Sequence, residues 1–242
     1  FELVKELGRG GMGVVYLARD LRLGRLVAVK LMTNASQTMA RRLLEEAQTT
    51  AQCQHENIVI VYSADEWRGV PYLALEFLEG QSVAERLLQG PLSPRETIEL
   101  LSSVARALVK AHSMGIVHCD LKPENVFCVA NGQVKVLDFG ISRVVAVKRN
   151  AAIQAAALNV LKVTQDDTVS GTIEYMAPEQ WGVDEIDHRS DIWAVGIMAW
   201  VMLTGKHPLG EEVSLAAPVA SATNLDVPLP SIATVMPALP PR

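Results

Sequence analysis

Cysteine, basic charge and long apolar runs are all scarce in this chain, and each shortage removes a class of protein. Three cysteines in 242 residues, an odd number with no framework spacing, argue against a disulfide scaffold and for free thiols in a reducing cytoplasm. Lys and Arg (22) are outnumbered by Asp and Glu (27), giving a net charge of -5; a nucleic-acid binder would carry a basic footprint instead. The longest apolar run, "IWAVGIMAWVML" at 192–203, is too short to span a bilayer and reads as a buried core helix, so the chain offers no membrane segment. No signal-peptide pattern and no internal repeat is visible. The sequence starts on Phe1 and stops in a Pro-rich stretch, and so reads as an excerpt of a longer protein. What is present is ordinary globular composition, 49 % hydrophobic and 20 % charged, with length enough for one large domain or two lobes.

The first third is patterned as strands. Residues 1–7, 14–18 and 26–32 are Val/Leu-rich and separated by "GRGGMG" and "LRLG" turns. Residues 37–53 turn helical, with Leu43, Ala47, Thr50 and Gln54 on one stripe. "IVIVY" and "PYLALEF" then predict two strands around Arg68-Gly69. Beyond residue 79 the pattern is mainly helical. Ser93 and Pro94 start a helix whose face is predicted through Ile98, Leu101, Val104, Leu108 and Ala111, ending at Gly115. A hairpin is expected around Asn131-Gly132, and an apolar helix from about Ser190 to Gly205.

Chemistry concentrates in four places. Gly8, Gly10 and Gly13, with Gly11 as an extra, form G-x-G-x-x-G between two strands and before no helix. That context excludes the dinucleotide-fold version and leaves a loop lying over nucleotide phosphates, where a Cβ would block close approach. Lys30 is the only charge in the apolar "VAVK" strand. At about 100° per residue, Glu46 lies about 60° from the apolar stripe of the following helix and Glu45 about 160°. Glu46 can therefore turn toward the lysine, and Glu45 faces solvent. "VHCDLKPENV" packs His118, Asp120, Lys122, Glu124 and Asn125 together, and "VLDFG" ends a strand on Asp138. Asp138 and Asn125 offer oxygen ligands to a hard cation such as Mg²⁺. Asp120 remains to orient and deprotonate a hydroxyl, and Lys122 to neutralise a transferred phosphoryl group. This division suits phosphoryl transfer.

Taken together, "GRGGMG", "VAVK", the helix glutamate, "HENIV", "HCDLKPEN", "DFG", "GTIEYMAPE" and "SDIWAVG" resemble, in order and spacing, a eukaryotic-type protein kinase domain, most closely the bacterial Ser/Thr kinases. The resemblance implies an α+β bilobal fold. Residues 1–78 would form a small lobe with a five-stranded antiparallel sheet and one helix. Residues 79–242 would form a larger, mainly helical lobe lacking its last helices. It implies ATP and Mg²⁺ as cofactors and protein substrates with Ser or Thr acceptors. Thr172 joins Asp120, Lys122 and Asn125 as a catalytic residue. Val15, Ala28, Leu75 (the gatekeeper), Glu76 to Leu78 (the hinge) and Phe127 would contact the nucleotide, and Asp191 would anchor the "HCD" backbone.

Three departures from the family pattern follow. Cys119 stands where kinases activated by phosphorylation usually carry an arginine; beside Asp120 it is no plausible nucleophile and reads as a small packing residue. The segment from Asp138 to Glu179 is long and holds an Ala-rich stretch of helix-forming composition, read as a surface loop in preference to an ordered regulatory helix. The helices that would bring an arginine to Glu179 lie outside the sequence. Glu174, Arg143, Arg189 and His188 are assigned to solvated surface. A nucleotide-binding pseudokinase scaffold is the alternative, disfavoured because Lys30, Asp120 and Asp138 are all present. A small-molecule phosphotransferase is disfavoured by the "GT…APE" segment.

Overall fold

The computed structural model describes residues 1–10, 13–33, 37–139, 174–181, 186–208, 210 and 230–236. Five strands form one antiparallel sheet in the order β1-β2-β3-β5-β4: β1 (Glu2–Gly10), β2 (Gly13–Asp20), β3 (Arg25–Leu31), β4 (Val61–Trp67) and β5 (Val70–Glu76). Alternation along these strands gives the sheet two faces. Ala18, Val27 and Val29 are buried on one, against Leu31 and Tyr72. Ala28, Leu73 and Leu75 lie on the other, where Leu43 and Ala47 of helix α1 (Gln37–Ala51) cover them together with Met32 and Val59.

The expected stripe on α1 holds as far as Thr50, whose hydroxyl donates to the Phe139 carbonyl at 3.2 Å. Gln54 lies past the helix end and is exposed. The strand expected at "IVIVY" begins three residues later than predicted. Asn57 and Val59 are engaged elsewhere: the Val136 N–H donates to the Asn57 carbonyl at 2.8 Å and the Val59 N–H to the Val136 carbonyl at 3.0 Å. β4 instead continues through the polar "SADEW", whose side chains largely face solvent. Its hairpin to β5 turns on Arg68 and Gly69, both at positive φ (50° and 81°), the pair of left-handed residues that a tight hairpin of this twist requires.

The remainder is built on two helices. In α3 (Pro94–His112) the Ser93 side chain accepts from the Glu96 N–H and Pro94 opens the first turn, a cap worth about 1 kcal/mol. Its buried face runs through Thr97, Leu100, Ser103, Val104, Ala107, Leu108 and Ala111. Ile98, predicted on that face, is 65 % exposed. The stripe read from the sequence is turned by one position at this end, where the small Thr97 and Ser103 flank Leu100 on the inside.

α4 (Arg189–Thr204) packs Ala194, Met198 and Met202 into the same core, and Gly205 ends it in a left-handed conformation at φ 69°. One side of α4 is therefore core, as expected for its composition, although Ile192 is exposed. β7 (Val126–Val129) and β8 (Val134–Val136) form the expected hairpin. A third strand, β6 (Gly80–Ser82), pairs with β7. It leads into the short helix α2 (Val83–Leu87), fixed by a reciprocal Ser82–Glu85 capping box. Neither β6 nor α2 was anticipated. The one-turn helix α5 (Ile232–Val235) completes the described elements.

Candidate active site

The loop at 117–125 is held by buried polar groups. Asp191, 1 % exposed in the first turn of α4, accepts the His118 N–H and the Cys119 N–H, both at 2.9 Å, and meets His112 Nε2 at 2.8 Å. A carboxylate so deeply buried needs several donors to offset its lost hydration. His118, itself fully buried, contacts the Leu137 carbonyl through Nε2 at 2.8 Å, and its Nδ1 accepts the Asp120 N–H at 3.3 Å. Both bonds are met at once by the tautomer with its hydrogen on Nε2. The Phe139 ring packs against the imidazole at 4.8 Å between centroids. Cys119 is buried, as expected of a packing residue, and adopts φ 62°, a left-handed conformation uncommon for a non-glycine residue.

Asp120, Lys122 and Asn125 converge. Lys122 Nζ lies 3.2 Å from Asp120 Oδ2. Asn125 is brought back by the 3₁₀ turn Pro123–Asn125, and its Nδ2 donates to the Asp120 carbonyl at 2.7 Å, with Oδ2 at 3.4 Å. Both contacts engage the amide nitrogen, so the amide oxygen is the atom offered to a cation. The Asn125 carbonyl in turn accepts the Leu137 N–H at 2.8 Å, which fixes the chain beside Asp138.

Asp138 sits at φ 58° and pairs with Lys30 Nζ at 2.6 Å. Burial pushes its carboxyl up, but the charge and hydrogen bond of Lys30, with smaller effects from His118 and Lys122, hold it below the ordinary carboxylate range. The unfolded chain therefore binds the proton more readily than the folded one. The stability contributed by this carboxylate is whole above the unfolded value and is lost as pH falls through the lowered one.

The sheet places the remaining candidates. Val15 lies opposite Lys30, and Ala28 opposite Leu75, so all four share the α1-covered face of the sheet. Ala28 and Leu75 belong to one cluster with Leu78 and Leu137. The Glu76 carboxylate accepts the Ile60 N–H at 2.8 Å and pairs with Lys135 Nζ at 2.7 Å, while its own N–H donates to the Ile60 carbonyl. That side chain ties the end of β5 to β8. Phe127 is half-buried on β7, opposite Ser82 and Lys135.

The glycines divide in two. A Cβ on Gly13 would stand 1.8 Å from the Leu31 carbonyl oxygen. Cβ atoms on Gly8 and Gly10, both exposed, would meet nothing within 4 Å, so the protein itself leaves open space around them. Gly11, Thr172 and Arg143 lie outside the described residues, as does the Glu46 side chain, so the expected Lys30 partner on α1 falls outside them too. Glu45 is exposed and pairs with Arg41 at 3.0 Å.

Three contacts were not found from the sequence: the Lys135–Glu76 pair, the Ser190 hydroxyl donating to Glu179 Oε1 at 2.6 Å, and the buried Gln180 amide. All join residues distant in the chain or types that carry no pattern. Glu174, assigned to solvated surface, is half-buried; burial and the nearby Glu124 raise its carboxyl above the usual range. Arg189 is at the surface as expected, paired with Asp187 at 3.0 Å, and His188 packs its ring 5.6 Å from that of His112.

A small antiparallel sheet carrying a lysine, set against a helical unit that presents Asp120, Asn125 and Asp138, defines a phosphotransferase of the bilobal kinase type. The chain belongs to the protein kinase family: the protein kinase domain model matches residues 1–226. It is 39 % identical to the serine/threonine-protein kinase Pkn1 of Myxococcus xanthus over 99 % of this chain and 33 % of the relative. It is 34 % identical to the probable serine/threonine-protein kinase PknB of Lactococcus lactis (99 % and 36 %) and 38 % identical to the serine/threonine-protein kinase PknB of Mycobacterium tuberculosis (86 % and 33 %). The chain thus spans about a third of the length of these relatives. Among the described residues, no helix is long and apolar enough to cross a membrane.

Proposed function

We propose that this chain is the catalytic domain of a Ser/Thr protein kinase that moves the γ-phosphoryl group of ATP to Ser or Thr hydroxyls of protein substrates, acting in the cytoplasm. Residues 1–78 form its nucleotide-holding lobe and 79–242 the lobe that carries the reacting groups, with 138–179 as the activation segment. The observation that carries this reading is the double role of Asn125, whose side chain holds Asp120 while its carbonyl holds the chain beside Asp138. One residue thus sets a base and a metal-binding carboxylate in fixed relation, and positioning of this kind does most of the work in phosphoryl transfer.

Asp120 accepts the proton of the incoming hydroxyl as its oxygen bonds to the γ-phosphorus and ADP leaves. Lys122, beside it, offsets the charge of the moving phosphoryl group, and Lys30 steadies the phosphates left behind. Asp138, kept ionised by Lys30, and the Asn125 amide oxygen fit Mg²⁺, a hard cation that, when bound, neutralises phosphate charge. Gly8, Gly10, Gly11 and Gly13 allow backbone to approach the phosphates. Val15, Ala28, Leu75, Leu78 and Phe127 enclose the base against the backbone of Glu76, and Glu46 and Thr172 complete the constellation from α1 and the activation segment. Incubation of the full chain with γ-labelled ATP, Mg²⁺ and a protein mixture, followed by mass spectrometry, is expected to yield phosphoserine and phosphothreonine. Nucleotide binding with no transfer would replace this reading with the pseudokinase scaffold.

Cys119 also bears on regulation. A phosphate carries a charge of about -1.5 to -2 and orders a loop only where a cation receives it. Cys119 supplies none, and Asp166-Asp167 adds negative charge nearby in sequence. The triple alanine variant at Thr164, Thr168 and Ser170 is therefore expected to keep most of its activity in a steady-state assay. Loss of about tenfold or more, reproduced by phosphatase treatment of the wild type, would point instead to another receptor, with Arg143 the first to test.

A further inference from the structure

We infer that Gln180 is a positioning residue for Asp120, a role that rests on the kinase reading above. Its side chain is 2 % exposed and makes two bonds that use both ends of the amide. Oε1 accepts the Ala177 N–H at 2.9 Å and Nε2 donates to the Cys119 carbonyl at 2.8 Å. The peptide between Cys119 and Asp120 immediately precedes the base and follows a residue held at φ 62°. A left-handed non-glycine residue persists only where its surroundings over-determine it. Here the two main-chain polar groups of Cys119 are fastened from opposite directions, the N–H by Asp191 and the carbonyl by Gln180.

The two fasteners differ in what they connect. Asp191 belongs to α4 and is part of the rigid core. Gln180 belongs to the 3₁₀ turn Pro178–Trp181, where the neighbouring Glu179 is anchored by the Ser190 hydroxyl at 2.6 Å. Gln180 therefore couples the segment Ala177–Gln180 to the orientation of Asp120 through the Cys119 carbonyl, by means of a neutral amide. In this chain a neutral amide bridge joins the end of the activation segment to the residue before the base, at the position where Cys119 leaves no guanidinium to do so.

Two substitutions in the full chain separate this role from packing. Gln180→Met keeps the volume and removes both bonds. Removing the Gln180 bond to the buried Cys119 carbonyl is expected to lower kcat about tenfold, with the KM for ATP and the affinity for ADP within about twofold, because no nucleotide contact is touched. Gln180→Glu keeps the acceptor for Ala177 and loses only the donor while ionised. Burial raises the pKa of such a carboxyl, and once protonated it can donate to Cys119 again. The ratio of Gln180→Glu to wild-type kcat is therefore expected to climb severalfold between about pH 8 and about pH 6, while the Gln180→Met ratio stays flat. A full kcat in both variants, or equal and pH-independent losses in the two together with a fall in thermal stability, would overturn the assignment and leave Gln180 as packing only. Absence of Asp120-dependent transfer in the wild type would overturn the kinase reading itself and this role with it.

Discussion

Asp138→Asn is expected to abolish measurable phosphoryl transfer, a fall of about 10³-fold or more, because the loss of a metal-binding carboxylate forfeits several kcal/mol of charge stabilisation. The substitution isolates charge from shape. Asparagine has nearly the same size and enters the left-handed region more readily than most residues, so the φ of 58° at this position is no obstacle to folding. What disappears is the negative charge that Lys30 Nζ meets at 2.6 Å and that Lys30 and its neighbours keep ionised. Two measurements check the result: initial rates of transfer over a range of Mg²⁺ concentrations, and nucleotide binding followed without transfer. Rates within about tenfold of wild type would remove Asp138 from the metal site. Recovery at high Mg²⁺ would mean that the carboxylate contributes affinity for the cation and nothing more.

The strand pattern, the Gly-rich turn, the 37–53 helix and the two hairpins were legible in the sequence because each is dictated locally, by alternation, by helical spacing or by turn residues such as Arg68-Gly69. Boundaries failed where a residue had two possible partners. Val59 is an apolar-strand residue by pattern, but its N–H, like the carbonyl of the preceding Asn57, bonds to Val136 rather than continuing β4. Ile98 failed because the inner face of α3 is marked there by Thr97 and Ser103, polar residues that a hydrophobic stripe does not count. At the site, the residue types proposed to perform chemistry were visible as motifs, whereas the bonds that orient them were not. The Lys30–Asp138 pair joins positions 108 residues apart, and the Glu76–Lys135 pair joins positions 59 apart. Neither distance in sequence predicts contact. The left-handed conformation of Cys119 left no trace either, since cysteine is not among the residue types that favour it.

Asp120→Asn is expected to lower kcat by about 10²–10⁴-fold, the range of a positioned general base, while the KM for ATP changes by no more than about threefold. The loop should survive the change. Its anchors are the Asp191 bonds to the His118 and Cys119 N–H groups, and the Asn125 bond to the Asp120 carbonyl at 2.7 Å uses main chain rather than the substituted carboxylate. An amide oxygen at the same place can still accept from Lys122, so the geometry around 3.2 Å need not collapse. It cannot take up a proton. Phosphoryl transfer passes through a loose transition state in which bonding to the incoming oxygen is weak, so that oxygen becomes acidic only late. In the proposed mechanism Asp120 acts first by orienting the hydroxyl and then by receiving its proton, and the variant would lose the second role entirely and part of the first. Transfer to a protein substrate, measured with saturating ATP and Mg²⁺, reads the kcat effect directly; a parallel titration with ADP reads nucleotide binding. Unchanged kcat would remove Asp120 from the base position. A loss confined to the KM for ATP would make Asp120 a nucleotide contact, and the proton would then have to leave by another group.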